Sequence, residues 1–257
     1  MGYVKFLGTA GARFVVARQL RYSAGTWIEL SEVRILLDPG PGTLLRCRRA
    51  RPPLDPAKLS AVALSHKHLD HSTDVNIVVE AMADGGRRAR GVLLAPGDAL
   101  EGEDPVVLRY VRPFVQRVEQ LGGGREISVD GVEVRPVRHV HGEVETYGLV
   151  FSGEEGQLGF VVDGKYQPGL AESYAGCDLL VINTVRKEWS PDVDHLSLPE
   201  AVELARAVQP KLTVLTHFGM TMLRANPRVL AAQVSEQIGL PVIAATDGLT
   251  VAADRWG

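Results

Sequence analysis

The chain has 257 residues, 45% hydrophobic and 23% charged, which are ordinary values for a soluble globular protein and enough length for one large domain or two small ones. A net charge of −3 excludes a generally basic nucleic-acid coat and leaves only a local patch open. No apolar run reaches transmembrane length, no signal peptide opens the chain, and Cys47 and Cys177 stand far apart in no metal-type spacing, so free thiols and a cytoplasmic location are the expectation.

Val4 to Leu7 reads as a first strand, ended by the turn Gly8-Thr9-Ala10-Gly11, which lacks the full dinucleotide fingerprint. Gly25 to Leu30 and Val33 to Leu37 are two further strands around a polar turn at Ser31-Glu32. Asp38-Pro39-Gly40-Pro41-Gly42 then breaks regular structure. Arg46, Arg48, Arg49 and Arg51 form a basic run closed by Pro52-Pro53, either a solvated face or a phosphate-facing patch. Leu59 to Leu64 is a strand-like apolar segment, and Asp74 to Met82 has helical spacing. Between them lies Ser65-His66-Lys67-His68-Leu69-Asp70-His71-Ser72, three of the seven histidines and a carboxylate on a strand-to-helix turn. Side chains on such a turn can converge on a point, and imidazole nitrogen with carboxylate oxygen suits zinc, manganese or iron. Solvated loop histidines are the plainer alternative.

Val92 to Ala95 is a short buried-type strand, and the apolar spacing from Pro105 to Val115 predicts a helix with Arg109 and Arg112 on its polar side. Gly122-Gly123-Gly124 marks a seam between two halves of one domain spanning 1–257. Ile127 to Val129 and Val132 to His141 make a hairpin across Asp130-Gly131, with His139 and His141 on one face of the strand. Strands follow at Tyr147 to Phe151, at Leu158 to Val162, which ends in Asp163-Gly164, and at Leu179 to Asn183. Arg186 to Trp189 begins an irregular loop. Asp194-His195-Leu196 then precedes Ser197, whose pairing with Glu200 predicts a capping box for a helix over Leu198 to Val208. Leu212 to Leu215 leads into Thr216-His217-Phe218; a helix over Ala231 to Ile238 and a strand over Pro241 to Ala245 close the chain.

His66-x-His68-x-Asp70-His71, followed by His141, Glu145-Thr146-Tyr147-Gly148, Asp163, His195 and Thr216-His217-Phe218, resembles the motif series of metallo-β-lactamase-fold hydrolases over nearly the whole chain. The resemblance is nearest to the RNase Z-like, phosphodiesterase branch. It implies an α/β fold, a four-layer αββα sandwich of two mixed sheets with outer helices. It also implies two divalent metal ions, zinc or else manganese or iron. His66, His68 and His141 would hold one ion, Asp70, His71 and His217 the other, with Asp163 bridging although Val162 replaces the usual glycine before it. His141 is nearer than His139 to the third-motif offset, although the register Pro136-Val137-Arg138-His139 also resembles the family, and the Asp38 loop would lie beneath the site or else be a plain turn. A metal-bridging hydroxide would be the nucleophile. Asp70 and His195 count as catalytic, His195 protonating the leaving oxygen or stabilising developing charge.

A β-lactamase would carry Cys at the Asp163 position, and thioesterases of this family carry a Gly-Pro-rich segment that Val140 to Tyr147 does not resemble. The long arm of RNase Z proper is replaced by the short interval from His141 to Asp163, which speaks against tRNA processing. The expected partner is a small-molecule or nucleotide phosphodiester, with nucleic acid not indicated by the net charge, no membrane, and a homo-oligomer left open. A thioester or lactone hydrolase of the same fold is the alternative, and a non-catalytic metal-binding scaffold the third.

Overall fold

The strand-forming runs collect into two seven-stranded sheets in a computed structural model that describes residues 2–23 and 25–257. The first sheet contains β1 (Tyr3–Phe6), β2 (Thr26–Leu30), β3 (Val33–Leu37), β4 (Ala61–Ala63), β5 (Val92–Ala95) and β6 (Arg117–Gln120). The second contains β7 (Ile127–Val129), β8 (Val132–His141), β9 (Val144–Gly153), β10 (Gly156–Val161), β11 (Leu179–Asn183), β12 (Leu212–Thr216) and β13 (Val242–Ala244). A last strand, β14 (Thr250–Ala252), returns to the first sheet and pairs with β1. The orders are β14-β1-β2-β3-β4-β5-β6 and β13-β12-β11-β10-β9-β8-β7, so the Gly122 to Gly124 seam falls where one sheet ends and the other begins.

Both sheets are mixed in the same way. Hairpins with tight turns build their antiparallel parts: Ser31-Glu32 and Asp130-Gly131 take positive φ at both turn residues, which matches the twist of the flanking strands. From β3 to β6 and from β10 to β13 the strands run parallel. The inner ones β4, β5 and β12 are buried along their whole length, and β4 and β5 read as continuous apolar runs such as Val92-Leu93-Leu94-Ala95, whereas the edge strand β6 is mostly exposed.

Three apolar layers hold the stack together. Between the sheets, Phe6, Ile28 and Leu30 meet Leu149, Phe151 and Phe160. Outside the first sheet, Trp27, Leu36, Val62 and Leu93 pack with Val75, Val78, Val79 and Met82. Outside the second, Val161, Leu180 and Ile182 pack with Leu204 and Val234. Helices supply the outer partners, α2 (Thr43–Arg49), α4 (Val75–Met82) and α5 (Gly97–Leu100) on the first sheet and α6 (Leu198–Val208), α7 (Met220–Arg224) and α8 (Pro227–Ile238) on the second, while α1 (Ala12–Ala17) and the short α3 (Leu69–Ser72) belong to neither outer layer. This is the αββα sandwich. Ser197 and Glu200 form the capping box that opens α6. Among the described residues no helix is long and apolar enough to cross a membrane. Cys47 and Cys177 are buried free thiols, and burial pushes them up to about 12 and about 11.

Some local expectations need correction. The helix over Pro105 to Val115 is a 3-10 segment confined to Arg109–Phe114, because Pro113 inside it has no N–H for an α-turn. Arg112 is not on a solvated face: its guanidinium donates to the carbonyls of Leu100 and Val107 and to Glu101. The closing helix begins four residues earlier than expected, with Pro227 at its first turn, where a missing N–H costs nothing. Helix α1 stands just beyond the Gly8 to Gly11 turn, in a stretch to which the sequence assigns no element, and α2 overlaps the start of the basic run.

Candidate metal centre

Strand ends from both sheets meet at one edge of the sandwich. β4 stops at Ala63, and the chain turns through His66 and His68 into α3, which carries Asp70 and His71. From the second sheet come His141 at the end of β8, Asp163 just beyond β10, His195 before α6, and His217 just after β12. His68 Nδ1 lies 3.1 Å from both His66 Nε2 and His141 Nε2. His71 Nε2 lies 2.9 Å from His217 Nε2, and Asp70 Oδ2 lies 3.6 and 3.4 Å from these two nitrogens. Asp163 Oδ2 stands between the two groups, 3.5 Å from His71 Nε2, 4.0 Å from His141 Nε2 and 3.5 Å from His195 Nδ1. Within each of the sets His66/His68/His141 and Asp70/His71/His217, the ligand-type atoms all lie within 4.8 Å of one another.

The hydrogen bonds around this donor set leave it suited to a cation. Ser65 Oγ donates to Asp38 Oδ2 at 2.7 Å, so it accepts from His66 Nδ1 at 2.9 Å. His71 Nδ1 donates to the same carboxylate at 2.9 Å, and His141 Nδ1 donates to the Asp194 carbonyl at 2.8 Å. In the neutral rings the Nε2 atoms of His66, His71 and His141 are therefore left with lone pairs, and these point into the crowded centre. Histidines that bind metals use their remote N–H in this way, to fix tautomer and orientation. The residues fit a site for two divalent ions.

Electrostatics agree. Burial disfavours charge on His71, yet the carboxylates of Asp70, Asp38 and Asp163 raise its pKa well above the ordinary range. Burial likewise pushes Asp163 up, but His217, His195 and His71 outweigh it and hold the carboxyl well below its usual value. The pocket thus favours added positive charge between carboxylates. His66, His68, His141 and His195 are pushed down, chiefly by burial, and so remain neutral ligand-type rings.

The backbone is strained where it serves the site. Asp38 holds φ +52° although Pro39 follows, and His217 holds φ +57°. Asp38 is held there by its carboxylate, which accepts from Ser65 N and Ser65 Oγ at 2.7 Å and from His71 Nδ1. The Asp38 loop therefore lies directly under His71. Gly11 is glycine because a side chain there would run into the His217 backbone and ring.

His139 is not in either convergent set. It is buried, which pushes it down to about 4; its Nε2 lies 2.8 Å from Tyr174 Oη and its Nδ1 3.3 Å from the Asp163 carbonyl. None of the basic run lines the metal cavity: Arg46 donates to Leu7 O and lies over Tyr22, while Arg48 pairs with Asp55 at 3.1 Å. The cavity, about 400 Å³, is lined by His68, Asp70, His141, Asp163 and His195, together with Leu69 and Arg13. The sequence reading missed Arg13, which carries no motif. It also missed Asn183, whose amide donates to Asp163 Oδ1 at 2.8 Å. A carboxamide ending a buried strand was a usable signal there, since β11 runs parallel to β10 and brings both strand ends to the same edge.

The profile of the Beta-lactamase superfamily domain matches residues 33–218. An uncharacterised protein of Methanocaldococcus jannaschii is 31% identical over 251 residues, 96% of this chain and 93% of its own length. Ribonuclease Z of Pyrobaculum arsenaticum is 27% identical over 279 residues, 89% of this chain and 91% of its own length. Among solved structures, a diphosphatase from the PhnP family has a TM-score of 0.70 at 21% identity, covering 98% of this chain and 97% of that one.

Proposed function

The chain belongs to the beta-lactamase superfamily, as a metallo-β-lactamase-fold member near the RNase Z branch, and on that premise we propose that it is a metal-dependent phosphodiesterase. The observation that carries the reading is the pair of convergent ligand sets joined by Asp163, open to a cavity with His195 in its wall. His66, His68 and His141 would hold one ion, and Asp70, His71 and His217 the other, with Asp163 between them. Two divalent ions there (zinc, manganese or iron) would supply the Lewis acidity that makes water a nucleophile near neutral pH.

The chain's own groups do the rest. Asp38 and Ser65 orient His71 and His66, and Asn183 fixes the Asp163 carboxylate. His195 would hand a hydrogen bond or a proton to the leaving oxygen. Arg13 adds a cation to a cavity otherwise rich in carboxylate, which suits an anionic phosphodiester better than a neutral lactone. A relative named a ribonuclease and a fold neighbour named a diphosphatase support phosphate chemistry over acyl chemistry. Residues 1–257 would act as one domain, because the sheets share a core and the site draws on both.

The test is turnover by the metal-loaded chain, with zinc, manganese and iron each tried. Bis(p-nitrophenyl) phosphate should be cleaved faster than thioesters and lactones by about tenfold or more, an advantage of about 1.4 kcal/mol in the barrier. Thioester or lactone turnover well above that of any phosphodiester would overturn the substrate class.

A further inference from the structure

His195 is a wall shared by two cavities. On one side lies the metal cavity; on the other is a smaller pocket of about 180 Å³, lined by Phe14, Val15, Val193 and Met220. Arg186 and Thr221 line that apolar pocket and also a third cavity, about 330 Å³, to which Lys187 and Arg224 belong. Through these shared residues the three adjoin in a row, here called a trough, from ligand sets to apolar slot to cations.

The far end of the trough is positive and unsatisfied. Arg186 Nε is buried without a hydrogen-bond partner among the described residues. No carboxylate of the described residues pairs with Arg186 or Arg224, whereas Arg34, Arg48, Arg112 and Arg125 each have one. Glu188 is the one acid lining this cavity, and Lys187 lies 3.5 Å from it. Guanidinium groups in this state suit a phosphate, whose oxygens match their donor fork. The backbone is already set for the task. Lys187 N donates to Thr221 Oγ1 at 3.1 Å, tying the Arg186 loop to α7, and Leu198 N donates to Arg186 O at 2.8 Å. Gly219, ahead of α7, donates to Val185 O at 3.0 Å, and a side chain there would meet that oxygen at 2.5 Å. In the slot, Phe14 is 67% exposed and offers a ring face on which a base can stack.

We infer that the trough is a subsite for a nucleotide phosphodiester that carries a second phosphate. The scissile phosphate lies at the ligand sets, the base in the slot beside His195 and Phe14, and the second phosphate at Arg186, Lys187 and Arg224. This rests on the phosphodiesterase reading and narrows it to a substrate class.

Calorimetric titration of the metal-loaded chain decides the matter without turnover. Adenosine 3′,5′-bisphosphate should bind about tenfold or more tighter than adenosine 5′-monophosphate, and the margin should shrink as salt rises. Arg224→Ala, an exposed change outside the slot, should cut that margin to about twofold while leaving the monophosphate affinity in place, and Arg186→Ala should cut the margin likewise. Propane-1,3-diol bisphosphate, which has no ring, should bind more weakly than the adenosine compound. Equal affinity of the two adenosine ligands, or a margin that survives both substitutions, would overturn the subsite. Equal binding by the ringless bisphosphate would overturn the base slot. Failure to cleave any phosphodiester would sink the proposed activity, yet a retained, arginine-dependent bisphosphate preference would still uphold the subsite.

Discussion

The two sheets contribute to the candidate metal centre in opposite ways. The first delivers His66, His68, Asp70 and His71 from one turn, so their convergence is a local matter of strand end and short helix. The second delivers His141, Asp163, His195 and His217 from separate connections, and what unites them is sheet topology. β10, β11 and β12 are parallel neighbours, so their carboxyl ends, and whatever follows each, emerge at one edge. A site half local and half topological should respond differently when each half is cut.

Asp163 is where the halves join, and its loss should be the largest effect. Asp163→Ala removes the carboxylate placed between the two ligand sets. Elemental analysis after dialysis should find metal falling from two ions per chain toward none, with activity abolished. His68→Ala, which cuts only the local half, should empty the set with His66 and His141 first. Two ions retained in the Asp163 variant would break the view of one joined site.

His195 belongs to the topological half but to neither of the two proposed ligand sets. His195→Ala should lower turnover by about 10²–10⁴-fold with metal content unchanged. The loss should be smaller for a nitrophenyl phosphodiester, whose leaving group needs no proton. Equal losses on activated and unactivated esters would leave His195 a positioning or charge-stabilising role instead.

Asp38 supports the local half from below. Asp38→Asn keeps a side chain that tolerates the left-handed backbone but removes the charge that orients His71. Metal affinity should weaken about 10–100-fold. Competition with a chelator should show the weaker ion leaving first, from the set with His71. Uniform weakening at both sets would mean that Asp38 acts through the fold rather than through His71.

The same contrast explains what could be read from sequence. The turn from Ser65 to Ser72 was legible because its chemistry is compressed into one segment. Asp163, His195 and His217 were legible only through resemblance to a known motif series, since no spacing rule brings such distant residues together. The αββα layering followed from the same resemblance, and the strand runs agreed with it. Arg13 was hidden by the short α1, which follows a glycine turn and has no N-cap side chain to announce it. The run from Pro105 to Val115 misled in the other direction: Val107 and Val111 are buried as their spacing asks, but Pro113 forbids the α-helix that normally produces that spacing. Gly148 stands out in the sequence only as the end of Glu145-Thr146-Tyr147-Gly148, and its purpose lies in packing that no spacing rule reveals.

That purpose yields the smallest and most local prediction. A side chain at Gly148 would overlap the Tyr174 hydroxyl and come within 2.7 Å of both His139 Nε2 and the Phe160 carbonyl. Gly148 thus makes room for the hydrogen bond between His139 and Tyr174, and His139 in turn touches the backbone of Asp163. Gly148→Ala should destabilise the chain by about 1–3 kcal/mol through overpacking. Tyr174→Phe should cost about 1–3 kcal/mol by leaving a buried ring nitrogen unpaired. The nearest obstacle to the new methyl is the very hydroxyl that Tyr174→Phe removes. The double variant should therefore lose less than the sum, with a coupling of about 0.5–3 kcal/mol read from denaturant midpoints. Metal content should stay at wild-type level in all three, because neither side chain is a ligand-type group of the convergent sets. Strict additivity would mean that Gly148 accommodates something other than the Tyr174 hydroxyl. Metal loss in Tyr174→Phe would mean that the topological half depends on this buried pair to hold Asp163 in place.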